Sequence, residues 1–141
     1  MIATKYKDIK HLIPQDSVYA GYDTGEGYDN AIVLYHKGDY TTEQPIDLDY
    51  AEKLCPDYSC EELPSLILIE GNLSAKNIFN GETDGSAGLV VLGNLSAENI
   101  VVGGQEIYVG GDLNVSDLYW GDYNHGSLQV KGTFSIRVFL E

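Results

Sequence analysis

Four segments in the second half of the chain align on a single glycine: Ile67–Ala75 on Gly71, Leu89–Ala97 on Gly93, Ile107–Val115 on Gly111 and Leu128–Ile136 on Gly132. The glycines stand 22, 18 and 21 residues apart. Self-similarity at this period marks a solenoid, in which each repeat is one coil that buries its apolar face only against its neighbours. A stacked coil presents extended surfaces more readily than an enclosed pocket, so the repeat constrains architecture first and function second.

Around each glycine the apolar residues fall into columns. Ile67, Leu89, Ile107 and Leu128 form one, and Ile69, Val91, Val109 and Val130 the next. After the corner come Leu73, Leu95, Leu113 and Phe134, then Ala75, Ala97, Val115 and Ile136. A fifth column is read as Ile78, Ile100, Leu118 and Phe139. The period of two is that of a strand with one buried face. Burial is worth roughly 1.5–3 kcal/mol for each large side chain before entropy is subtracted. We read the glycines as sharp corners that need positive φ, which glycine adopts cheaply. Asn77, Asn99 and Asp117 are read as an equivalent turn row whose asparagines stack. Between coils the spacing varies only at 81–88, 103–106 and 121–127, which predicts loops protruding from one edge, where repeat proteins tend to bind.

Composition changes near residue 66. Eight of the eleven tyrosines and both cysteines precede it, and twelve of the sixteen glycines follow. Residues 1–65 read as a small mixed N-terminal cap. Residues 5–13 give a short strand or helical turn ended by Pro14, residues 20–30 a turn-rich loop, and 31–35 and 40–44 two strands joined through 36–39. Asp49 would cap a short helix at 50–54, ended by Pro56. The expected fold is all-β: a short, right-handed parallel β-helix of about four coils over residues 66–141, carrying the acidic cap.

Charge is the second strong feature. Twenty-two Asp and Glu against eight Lys and Arg give −14. Residues 15–62 hold twelve acids and two lysines, a net −10. Such a chain is repelled by nucleic acid and by anionic membranes, and it attracts cationic proteins at raised encounter rates. The N-terminal residues lack the apolar run of a signal peptide and no 18-residue apolar stretch exists, so we expect a soluble cytoplasmic protein. Cys55 and Cys60 are then reduced thiols, since one such pair without a second is a weak zinc signal.

Chemistry-bearing motifs are sparse. Phosphate-binding loops, nucleophile elbows and paired histidines are all missing, and we expect neither catalysis nor a cofactor or metal. Three glycosylation-like triplets at Asn72, Asn94 and Asn114 recur in register and are read as turn asparagines. The loop from Trp120 to Gly126 is the richest short segment, with Trp120, Asp122, Tyr123 and His125. Tryptophan and tyrosine dominate binding hot spots. Together with Asp23, Glu26, Tyr28 and Asp29 of the cap, these are the candidate partner-binding residues. The apolar strand read at 134–141 is expected to be an open, adhesive edge that would pair with a copy, a partner or the returning N-terminus.

Over residues 67–140 the Gly-Asp/Asn-Leu corners and the loop at 121–126 resemble small bacterial β-helix proteins of the polymer-forming, bactofilin-like group. Similar proteins with a short acidic cap resemble immunity proteins of bacterial toxin systems. The resemblance implies no catalytic residues. Combined with the charge, it leads us to expect an immunity protein that neutralises a basic toxin, such as a nuclease whose cationic cleft an acidic chain obstructs. The alternative is a structural polymer, or a homo-oligomer formed through the C-terminal coil.

Overall fold

The computed structural model describes residues 1–24, 27–81, 87–121 and 126–140. The strands are β1 (Ile2–Lys5), β2 (Ile32–His36), β3 (Tyr40–Thr42), β4 (Ile46–Asp47), β5 (Leu66–Ile69), β6 (Leu73–Phe79), β7 (Gly88–Val91), β8 (Leu95–Val102), β9 (Glu106–Val109), β10 (Leu113–Gly121), β11 (Ser127–Val130) and β12 (Phe134–Leu140). They form two sheets, ordered β1-β2-β5-β7-β9-β11 and β12-β10-β8-β6-β3, with β4 also on β6. Apart from the antiparallel β1–β2 pair, the strands within each sheet run parallel. The chain alternates between the sheets, turning at each glycine corner. The molecule is a parallel β-solenoid, as the repeat predicts. No helix among the described residues is long and apolar enough to cross a membrane.

The stack begins earlier than the repeat. β2 pairs with β5, setting Leu34 against Ile67, and β3 pairs with β6, setting Tyr40 against Leu73. The two strands expected in the cap are therefore a level of the solenoid, and Gly38-Asp39 is its corner. A 3₁₀ segment, Leu48–Leu54, fills the long return to β5; its cap is Asp47, whose carboxylate accepts the Asp49 N–H at 3.0 Å. Before the stack, β1 leads into α1 (Tyr6–Ile9), then into 3₁₀ segments Lys10–Leu12 and Val18–Thr24.

The sheets differ in how they are buried. β6 and β8 alternate inside and outside, as a strand with one covered face does. In contrast β5, β7 and β9 are buried at every residue. Their inward side chains join the central core. Their outward ones, Leu66, Leu68, Val90 and Tyr108, are covered by Tyr6, Ile9, Ile13 and Tyr19. The single buried face expected for every strand holds only for the second sheet. The continuous apolar runs at 66–69 and 89–91 are the mark of strands covered on both sides.

The corner glycines serve a purpose other than the expected one. Among the described residues only Gly27 and Gly38 have positive φ. At Gly71, Gly93, Gly111 and Gly132 the constraint is space: a Cβ would lie 2.7, 2.7, 3.0 and 2.7 Å from the carbonyl oxygen of the glycine one level below. That closeness lets each glycine N–H donate to the same oxygen, at 2.8–3.1 Å. The next residue extends the ladder with its side chain. Asp39, Asn72, Asn94 and Asp112 each accept, through Oδ1, the backbone N–H of the following corner at 2.7–2.8 Å. A short side chain ending in a carbonyl or carboxylate oxygen suits this geometry, and Asn and Asp both supply one. The glycosylation-like Asn72 and Asn94 are thus ladder rungs, whereas Asn114, read as a third turn asparagine in register, lies within β10 opposite Ser96, and Asp112 holds the equivalent corner.

The fifth column is corrected by a bulge. β10 carries one more residue than β8 and β12 between Val115 and Leu118, so Tyr119, not Leu118, lies against Ile100 and Phe139. Tyr119 stacks on Phe139 with ring centroids 5.3 Å apart, and burial pushes its phenol up to about 12. Asn99 donates to Asn77 Oδ1 at 3.0 Å, a stacked pair as expected. Leu118 rather than Asp117 continues that row, which lies within strands and makes no left-handed turn.

The first and last levels are unlike. At the first, Leu34 and Ile46 are fully buried, with Leu48, Ala51 and Cys55 in the same cluster and Met1, Ala3 and Tyr40 packed against it. At the last, Leu128, Val130 and Ile136 are only partly covered and Phe134 is 70% exposed. The returning N-terminal chain covers the outer face of the first sheet instead. There the Ser17 hydroxyl and Val18 N–H donate to the Glu106 carboxylate at 2.5 and 3.0 Å, Tyr108 donates to Asp16 Oδ1 at 2.6 Å, and Lys131 Nζ pairs with Asp16 Oδ2 at 2.6 Å.

The Lys131 ammonium, and secondly the Tyr108 hydroxyl, hold the Asp16 carboxyl below its usual 3.8. A carboxyl depressed in the folded state stabilises above its unfolded value, and that contribution is lost as pH falls through the folded value. Pepsin cleavage within residues 14–20 is therefore expected to accelerate as pH drops below 3.8, and less steeply in Asp16→Asn. An equal pH dependence in the two proteins would show that Asp16 does not fasten this strap.

Candidate protein-binding surface

No described segment covers the outer face of the second sheet. The residue following each member of the fifth column points outward, and parallel register stacks these residues: Phe79 beside Val101, Val101 beside Trp120, Trp120 beside Leu140. Phe79, Trp120 and Leu140 are exposed and Val101 is half-buried. In the adjoining row stand Leu118 and the exposed Val138. The result is a continuous apolar stripe across four strands, with Trp120 at its centre. Neighbouring outward positions carry Ser74, Ser96, Asn114, Lys76 and Glu98. Arg137 approaches Asp117 at 3.4 Å, an exposed pair that contributes little to stability.

Of the residues singled out in the sequence, Trp120 lies in this stripe. Asp122, Tyr123 and His125 lie outside the described residues, as does Glu26; Asp23 belongs to the 3₁₀ segment Val18–Thr24. Tyr28 and Asp29 are exposed, just before β2, where the Asp29 carbonyl accepts the Lys7 N–H at 3.0 Å. Their level is three strand steps from that of Trp120, about 14 Å at the usual spacing. Tyr28 and Asp29 therefore do not share a cluster with Trp120. Phe79, Val101 and Leu140 escaped sequence reasoning, although their common place one residue beyond the fifth column was a signal.

Acidic side chains concentrate toward the covered first level. Asp39, Glu43, Asp57, Glu61 and Glu62 are exposed there. Exposed Cys60 and buried Cys55 are both free thiols, as expected. His36 Nε2 lies 2.9 Å from the Asp39 carbonyl oxygen, so this ring braces the first corner. No three His, Cys, Asp or Glu side chains converge as metal ligands among the described residues. Comparisons with family models, with curated proteins and with solved structures gave no match.

Proposed function

We propose that this is a non-catalytic binding protein that neutralises a basic protein, in the manner of an immunity protein directed at a cationic toxin such as a nuclease. The observation that carries the reading is the uncovered stripe centred on Trp120, on a chain of charge −14. A wide aromatic and aliphatic strip supplies the buried contact of an interface, and the acidic surface steers a cationic partner toward it. Ser17 and Glu106 fasten the strap and His36 holds a corner, structural roles that support a reading without catalysis.

The test is capture of a partner from the native cell extract at low and high salt, with the wild type and with Trp120→Ala. A basic protein is expected, released by salt, with affinity reduced about 10- to 30-fold by Trp120→Ala, as for a central aromatic hot spot. A partner bound equally at both salt concentrations and equally by the variant would defeat the proposal.

A further inference from the structure

We propose that the open last level of the solenoid joins a second copy of this chain head to head, forming a closed dimer. Among the described residues β11 and β12 are the last strands of their sheets, and no described strand pairs with the far edge of either. Between them Leu128, Val130, Phe134, Ile136 and Phe139 line a hollow of about 750 Å³. Gln105, also at its wall, is buried, and among the described residues its side-chain oxygen has no donor. A hollow with two strand edges needs an occupant that brings strands and apolar side chains together, and this chain's own last level has both.

Charge selects a copy over the basic partner. Residues 127–140 contain Lys131 and Arg137 and no Asp or Glu, and those two cations pair with Asp16 and Asp117. The last level is therefore close to neutral on a chain of −14. A cationic protein is drawn to the acidic first level, whereas two copies meeting at their last levels keep their acidic ends farthest apart. A two-fold axis across the stack sets the last strands of the copies antiparallel in both sheets, so each edge finds a partner. Assembly stops at two because the first-level core is covered: Leu34 and Ile46 are wholly buried and Leu48, Ala51 and Cys55 pack with them.

Sedimentation of the purified protein over a wide concentration range tests this without any other partner. The expected species has twice the 15.5 kDa protomer mass, with nothing larger at the highest concentration. Phe134→Asp, at a side chain 70% exposed within one copy, is expected to retain the fold and weaken the dimer about 100-fold. Phe134→Ala, the milder change, should weaken it by less and serves if the charged variant misfolds. Trp120→Ala should leave the dimer intact, which separates this interface from the stripe. A monomer at every concentration, growth beyond two copies, or a dimer indifferent to both Phe134 variants would each overturn the proposal.

Discussion

Gly93→Ala is expected to cost about 3 kcal/mol or more, while Gly38→Ala costs about 1–2 kcal/mol. Both stand at corners of the solenoid. At Gly93 the added methyl carbon would lie 2.7 Å from the Gly71 carbonyl oxygen, the same atom that accepts the Gly93 N–H at 2.9 Å. The obstacle is backbone, fixed from both sides by the ladder from Asn72 to Asn94 to Asp112, and it cannot rotate away. Relief requires the levels to separate, which breaks the hydrogen bonds that define the corner. At Gly38 nothing lies within 4 Å, and the penalty is only that of holding alanine at φ +88. Urea unfolding of the two variants decides the matter. Against a total stability of about 5–15 kcal/mol, the difference is a large fraction. Equal costs would mean that the corners are set by φ after all.

That contrast also shows where the sequence is legible. The columns through Ile67, Ile69, Leu73 and Ala75 and the corner at Gly71 were readable because burial against neighbours at a fixed period leaves apolar residues at fixed offsets. The level at Gly38 was hidden. Its next corner is 33 residues on, and its column members His36, Tyr40 and Thr42 are polar or amphipathic. These residues suit the first level, which has stacked strands on one side only. Tyr119 was missed for a different reason. A fixed offset from the corner glycine placed Leu118 in the fifth column, and only the extra residue of the bulge brings Tyr119 there instead. The strap was illegible because the partners of Asp16 and Ser17 lie about 90 residues away or more, and sequence periodicity carries no trace of such contacts. At the candidate surface Trp120 declared itself by residue type. Phe79, Val101 and Leu140 became visible only once parallel register laid them beside it.

Leu95→Ala is expected to cost about 4 kcal/mol, and Phe134→Ala less than about 1 kcal/mol in the monomer, although both occupy the same column. Leu95 is fully buried, with Leu73 on one side and Leu113 on the other. Its truncation leaves a cavity that cannot close, because the corner ladder holds the levels above and below at fixed spacing. Phe134 has only Leu113 beneath it and is 70% exposed, so its removal takes little surface out of contact. Chemical unfolding at high dilution should show this difference. At higher concentration the two variants should diverge: the Leu95→Ala penalty stays constant, whereas that of Phe134→Ala grows as the dimer populates, because the folded dimer is stabilised by mass action. A large, concentration-independent cost at Phe134 would mean that the last level is covered within a single chain. A small one that rises with concentration ties the open end of the solenoid to its second copy.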